Sequence, residues 1–152
     1  MNELGLTFHH LGVAVNRPED AIRFLSVLGY ALGEPVLDPL QNVRLIMCTH
    51  IGEPAVEIIS PGTEGSKSPV DFMVAKHASG IIYHSCYMTR SLAKTLAQAE
   101  DLGLRFFCVS SPKPAVLFGG RKVSFYNVVG MGLIEIIEPL EEGAPFGAVP
   151  EG

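Results

Sequence analysis

Two stretches of this chain end alike, and that likeness constrains the fold more than any local motif. One closes on Val56-Glu57-Ile58-Ile59-Ser60-Pro61 and the other on Ile134-Glu135-Ile136-Ile137-Glu138-Pro139. An internal repeat of this kind means a structural unit used twice, so the order of elements in each half should match. In the first half, Thr7–Val15 alternates apolar and other residues, as a strand does. A helix follows, with Asn16 as its expected N-cap, Pro18 near its first turn, an apolar stripe of Ala21, Phe24, Leu25 and Leu28, and Gly29 as its stop. Strands are then expected over 30–36, 43–49 and 55–60, with a turn at Pro39 and a hairpin at Gly52.

The polar, glycine-rich stretch 62–80 breaks the rhythm and reads as a connector. Within it, Ser66 or Ser68 is the expected cap of a short helix over 70–75, with Pro69 in its first turn. The order then recurs: a strand at 81–89, a helix at 91–102 with Leu92, Leu96 and Ala99 on one face, and strands at 105–109, 122–128 and 133–138. Residues 110–120, SSPKPAVLFGG, read as a loop. Both halves, about 7–61 and 81–139, are thus strand–helix–strand–strand–strand within one domain spanning 1–139. The tail from 140 to 152 is rich in Gly, Pro and Glu and is expected to be flexible.

Bulk properties narrow the function. Apolar residues make up 47% of the chain, enough for a buried core. The formal net charge of -5, with no basic cluster, argues against nucleic acid and anionic membrane surfaces as partners. No apolar run approaches the roughly 20 residues of a membrane span. The first residues lack the basic and apolar regions of a secretory signal. Cys48, Cys86 and Cys108 are widely spaced and odd in number, which suits reduced thiols in a cytoplasmic protein rather than a disulfide framework.

The repeat also carries the chemistry. Successive strand residues point to opposite faces of a sheet. If Leu11, Val13 and Val15 lie under the helix, His10 faces away from it. In the closing strands, Glu57 is opposed in parity to Val56 and Ile58, and Glu135 to Ile134 and Ile136. Each half therefore offers one histidine, His10 or His84, and one glutamate on the face away from its helix. The two members are 47 residues apart in the first half and 51 in the second. A carboxylate inside an apolar strand is costly to bury unless it is paired or bound to a cation. Here the anomaly occurs twice at equivalent places.

A lone strand histidine or glutamate is more often structural or solvated, but a quartet at repeat-equivalent positions points to one divalent metal ion. Two imidazoles and two carboxylates suit Zn, Ni, Co, Mn or Fe(II). By the same parity His9 groups with Leu11 and Val13, while His50 and His77 fall in loop-like stretches. Cys86 and Met88 share the face of His84 as pocket wall or core. No helix end or basic neighbour of Cys86 is evident to activate its thiol.

These residues resemble the vicinal oxygen chelate superfamily, specifically its glyoxalase I and methylmalonyl-CoA epimerase branch. The resemblance rests on FHHLGVAV, the Gln41-Asn42-Val43 turn, VEIISP, SPVDFMVAKHASGIIYHS and GLIEIIEP, and covers about residues 7 to 139. It implies an α+β fold of two βαβββ modules forming a cupped mixed sheet. It also implies metal ligands at His10, Glu57, His84 and Glu135, and a homodimer. Some epimerases carry a second acid on the strand after the turn, where this chain reads Val43-Arg44-Leu45-Ile46. The loop at Ala115–Arg121 is more apolar than one specialised for a glutathione or CoA tail.

The expected activity is that of a metal-dependent isomerase, epimerase or lyase acting on a small molecule. A proton would leave the carbon next to a metal-chelated carbonyl. The resemblance makes Glu135 the first candidate base, with Glu57 its symmetric alternative. Lys113 and Arg121 flank the late loop and are candidate contacts for a substrate anion, as is Cys86 for the pocket wall. The alternatives are a small-molecule-binding or resistance protein of the same fold, then an extradiol-type dioxygenase.

Overall fold

The β-branched runs become strands and the two long apolar-striped stretches become helices in the computed structural model, which describes residues 2–63 and 65–144. In chain order the elements are β1 (Thr7–Ala14), α1 (Glu19–Val27), β2 (Ala31–Leu32), β3 (Val36–Asp38), β4 (Val43–Thr49), β5 (Ala55–Pro61), α2 (Asp71–Lys76), β6 (Ile81–Met88), α3 (Leu92–Asp101), β7 (Phe106–Pro114), a 3-10 turn (Val116–Phe118), β8 (Lys122–Val128) and β9 (Gly132–Ile137). The chain divides into two compact units. Of the described residues, one holds His10–Tyr83, and the other joins those up to His9 with His84–Ala144. Among the described residues, no helix is long and apolar enough to cross a membrane.

In the His10–Tyr83 unit, β5 lies between β1, to which it is parallel, and β4, to which it is antiparallel. β2 and β3 both pair antiparallel with β4. The parallel pair needs a crossover, and α1 lies within it. One side of this sheet packs Ile46, Cys48, Val56 and Ile58 with Val15 and with Leu25 of α1. Ala21 and Ile22 pack against this core, whereas Phe24 and Leu28 of the expected stripe are exposed. The helix is only nine residues long, and its inward face centres on Ala21, Ile22 and Leu25. Asn16 does not cap α1. Pro18 occupies the N-cap without a side-chain bond, while Glu19 and Asp20 place negative charge in the first turn, where the helix dipole favours it.

The second unit repeats the plan. β9 lies between β6, parallel, and β8, antiparallel, and β7 pairs with the far edge of β8. Leu6, Tyr126, Ile134 and Ile136 form its core, with Tyr87, Phe106 and the α3 residues Leu92 and Leu96 against them. The N-terminal residues complete this unit: the Thr95 hydroxyl donates to the Leu4 carbonyl at 3.0 Å. The Ser91 side chain caps α3 by accepting from the Lys94 amide at 3.3 Å, and it donates to Glu142 at 2.7 Å.

Three boundaries differ from the sequence reading. The strand expected over 30–36 is two short strands, interrupted at Gly33–Pro35. The strand expected to stop at 109 continues to Pro114, because two register shifts let Ser110, Lys113 and Pro114 stay paired with β8. The short helix has Val70 as its N-cap, without a side-chain bond. Ser68 instead accepts from the Val70 amide, and its own amide donates to Asp71 at 2.8 Å. The expected flexible tail begins under restraint, since the Gly143 amide donates to the Arg90 carbonyl at 2.8 Å. Its residues 145–152 lie outside the described residues.

Two measurements check this account. Ser91→Ala removes the cap of α3 and is expected to cost about 1 kcal/mol in urea unfolding, with unchanged m. In the native protein a thiol reagent is expected to label Cys108 alone. Cys48 and Cys86 are buried, and burial pushes the Cys48 thiol up to about 11. All three should react after unfolding.

Candidate metal centre

The closing strand of each module carries one carboxylate on the face away from the helix. In the first unit, Glu57 stands level with Gly12 on β1 and Met47 on β4. Partners directly opposite in register share a face, so Val43, Leu45 and Met47 of β4 lie with Glu57 and Ile59, while Ile46 and Ile58 turn to α1. His10 Nε2 is 3.7 Å from Glu57 Oε1, and the two residues are only 0% and 2% exposed.

The second unit has the same construction. Glu135 stands level with Cys86 on β6 and Phe125 on β8, with Val123 and Ile137 on that face. His84 Nε2 is 3.8 Å from Glu135 Oε1, and both residues are 3% exposed. The Phe125 ring meets the His84 ring edge-on, with centroids 5.5 Å apart, which restricts the imidazole.

Each separation is longer than a hydrogen bond. Each is shorter than the sum, about 4.2 Å, of a typical metal–nitrogen and metal–oxygen bond. A buried imidazole facing a buried carboxylate at that distance fits a shared divalent cation, and neither type of ligand demands a thiophilic ion. Asp38 is also fully buried on the Val43 row, but it is committed to its turn. It accepts from the Leu40 and Gln41 amides and from the Gln41 side chain.

The remaining candidates fall in different places. Cys86 is fully buried on the Glu135 face. Lys113 is exposed and pairs with Val123, one row of that face beyond Phe125. Arg121 is half-buried and donates to the Phe118 carbonyl at 3.1 Å. It lines a cavity of about 530 Å³ shared with Leu92 and Leu96 of α3, and hence stands on the helix side of this sheet. In the same cavity, burial raises the Glu138 carboxyl above its ordinary range, against the pull of Lys122. His50 lies beside the Tyr30 ring and accepts from the Gly52 amide at 3.0 Å, whereas His77 is exposed at the end of α2.

His9 departs from the alternation argument. Its ring meets Phe118 edge-on at 5.6 Å, and one of its nitrogens lies within 4.8 Å of Cys86 Sγ. The structure sets it beside these two residues, where the sequence reading groups it with Leu11 and Val13. Cys86 accordingly has the imidazole neighbour that its sequence context did not reveal. The only advance signal was the His9-His10 doublet itself.

Comparison with known proteins agrees with this fold. A search against curated proteins found no match. Solved structures match well in fold. Methylmalonyl-CoA epimerase from Mycobacterium tuberculosis aligns with a TM-score of 0.70 and 20% identity, covering 88% of each chain. A hypothetical protein from Bacillus halodurans aligns at 0.71 and 22%, covering 92% of this chain and 99% of its own. A Streptomyces coelicolor methylmalonyl-CoA epimerase variant in complex with 2-nitronate-propionyl-CoA aligns at 0.68 and 20%, covering 91% and 98%. Residues 9–125 match the model of a sequence family, and that match, with two βαβββ modules in an α+β fold, places the chain in the glyoxalase/bleomycin resistance protein/dioxygenase superfamily.

Proposed function

We propose that His10, Glu57, His84 and Glu135 together hold one divalent metal ion, and that the protein is an isomerase, epimerase or lyase moving a proton next to a substrate carbonyl. The observation that carries this reading is the buried His–Glu pair, built twice at equivalent strand positions with separations of 3.7 and 3.8 Å. Burying one carboxylate in each closing strand is unfavourable without a cation to balance it. The fold shared with methylmalonyl-CoA epimerases supports the same reading. When bound, the ion supplies positive charge that lowers the cost of negative charge on a substrate oxygen.

The chain's own groups do the rest. Glu135 accepts the proton from the substrate carbon, and Glu57 is the symmetric group able to return it. The rows beside them are Val43, Leu45, Met47 and Ile59 in one unit and Val123, Phe125 and Ile137 in the other, all buried and apolar. These walls exclude water and strengthen charge interactions at the carboxylates. The stretch Val43-Arg44-Leu45-Ile46 offers no carboxylate on the Glu57 face, so proton transfer falls to the two glutamates. Cys86 forms part of the wall, and exposed Lys113 is placed to meet an anionic end of the substrate. Working conditions in this reading are those of a reducing cytoplasm, and the working unit is a homodimer.

Elemental analysis of purified protein is expected to find close to one transition metal per chain, and His10→Ala or His84→Ala to lower that content sharply. A metal-free preparation that gains none on dialysis against Zn, Ni, Co or Mn would sink the reading. For the chemistry, acyl-CoA thioesters and hemithioacetals are incubated in deuterated solvent and followed by NMR. Wash-in of deuterium without oxygen consumption is the expected result. Glu135→Gln is expected to retain metal while losing roughly 10²- to 10⁴-fold in exchange rate, the usual range for an acid–base group. Oxygen uptake coupled to turnover would point instead to the dioxygenase branch.

A further inference from the structure

On the α3 side of the second unit lies a cavity that the proposed metal chemistry does not use. It measures about 530 Å³, and its lining falls wholly within that unit. Leu92 and Leu96 of α3, with Leu140, give it an apolar wall, and Arg90, Arg121 and Lys122 bring positive charge to it. Two carboxylates accompany them, those of Glu138 and Glu142. Glu142 is engaged, since it accepts from the Ser91 hydroxyl at 2.7 Å.

Two buried atoms on this lining are unpaired. Arg121 Nε and Glu138 Oε2 find no hydrogen-bond partner among the described residues, in each other or elsewhere. The backbone holds the two residues near one another, because Arg121 precedes Lys122 and the Lys122 carbonyl accepts from the Glu138 amide at 2.9 Å. The Arg121 fork is also oriented, with Nη1 donating to the Phe118 carbonyl at 3.1 Å. That bond leaves the Nε–Nη2 edge, whose two parallel N–H groups match a carboxylate. A buried donor or acceptor left unpaired costs more than an ordinary hydrogen bond returns, so two such atoms on one cavity wall call for a partner that joins them.

We propose that this cavity binds a small apolar α-amino or α-hydroxy acid. The ligand carboxylate takes the Nε–Nη2 edge of Arg121, and the α-ammonium or α-hydroxyl donates to Glu138. The aliphatic chain lies against Leu92, Leu96 and Leu140. Arg90 and Lys122, both exposed, attract the acid from solution. The volume falls within the roughly 300–1,000 Å³ of small-molecule sites, which join apolar walls to a few placed polar groups. The site is independent of the proposed metal centre. None of its groups is His10, Glu57, His84 or Glu135, and Glu135 faces away from α3 whereas this cavity is lined by it.

The test is NMR titration of the methyl-labelled full chain with L-leucine and with 2-hydroxy-4-methylpentanoate. Saturable shifts of the Leu92, Leu96 and Leu140 methyls are expected with at least one of them. 4-Methylpentanoate, which lacks the α-donor, 3-methylbutylamine, which lacks the carboxylate, and inorganic phosphate should each bind about tenfold more weakly or worse, the loss that one hydrogen bond to a charged group carries. Arg121→Gln should weaken binding by a similar factor. Glu138→Gln should cost the amino acid more than the hydroxy acid, because only the ammonium loses an ion pair. Circular dichroism checks folding, and if Arg121→Gln does not fold, Arg121→Lys, which keeps the charge but not the planar edge, is expected to show the same loss. Absence of a saturable shift with both acids overturns the proposal, as does 4-methylpentanoate or phosphate binding equally well. Full affinity in the Arg121 variant, or shifts confined to Val123 and Ile137 on the Glu135 face, overturns it too.

Discussion

The burial of Glu57 and Glu135 in the middle of apolar strands is the constraint on which the rest of the molecule depends. Each closing strand is flanked on both sides, by a parallel neighbour that brings a histidine-bearing strand alongside and by an antiparallel neighbour that seals the other edge. A strand so enclosed would ordinarily be apolar on both faces. The helix-facing rows comply, with Val56, Ile58, Ile134 and Ile136 packed into the two cores. The opposite rows do not, and each places its carboxylate against an imidazole. Retaining two such costly groups makes sense when a positive charge is there to balance them.

The surroundings of those carboxylates define what chemistry they can do. Apolar residues flank them on the neighbouring strands, so a substrate's charge would be felt there with little screening. Asp38, the other buried carboxylate of the first unit, is tied to its own turn. The cations that a sequence reading would recruit are distributed unevenly. Lys113 lies on a row of the Glu135 face, while Arg121 and Lys122 line a cavity with α3 on the other side. Proximity in sequence to the late loop therefore says little about proximity to the carboxylate.

His9 shows how a shared element changes chemistry. The strand that begins in one compact unit ends in the other, and the two adjacent histidines belong to different units. His10 meets Glu57, and His9 meets Cys86 and Phe118.

Much of this was legible in the letters. The repeated VEIIS and IEIIE closings, the histidine opening each half and the alternation of apolar residues determined two βαβββ modules and put His10 with Glu57 and His84 with Glu135, because strand parity is a local property of the backbone. What the sequence could not determine depended on partners far away in the chain. The continuation of β7 through Ser110–Pro114 came from register shifts against β8. The rotation of α1 that exposes Phe24 came from the core it had to fill. The side on which Arg121 stands, and the meeting of His9 with Cys86, followed from packing between distant segments, which no local pattern encodes.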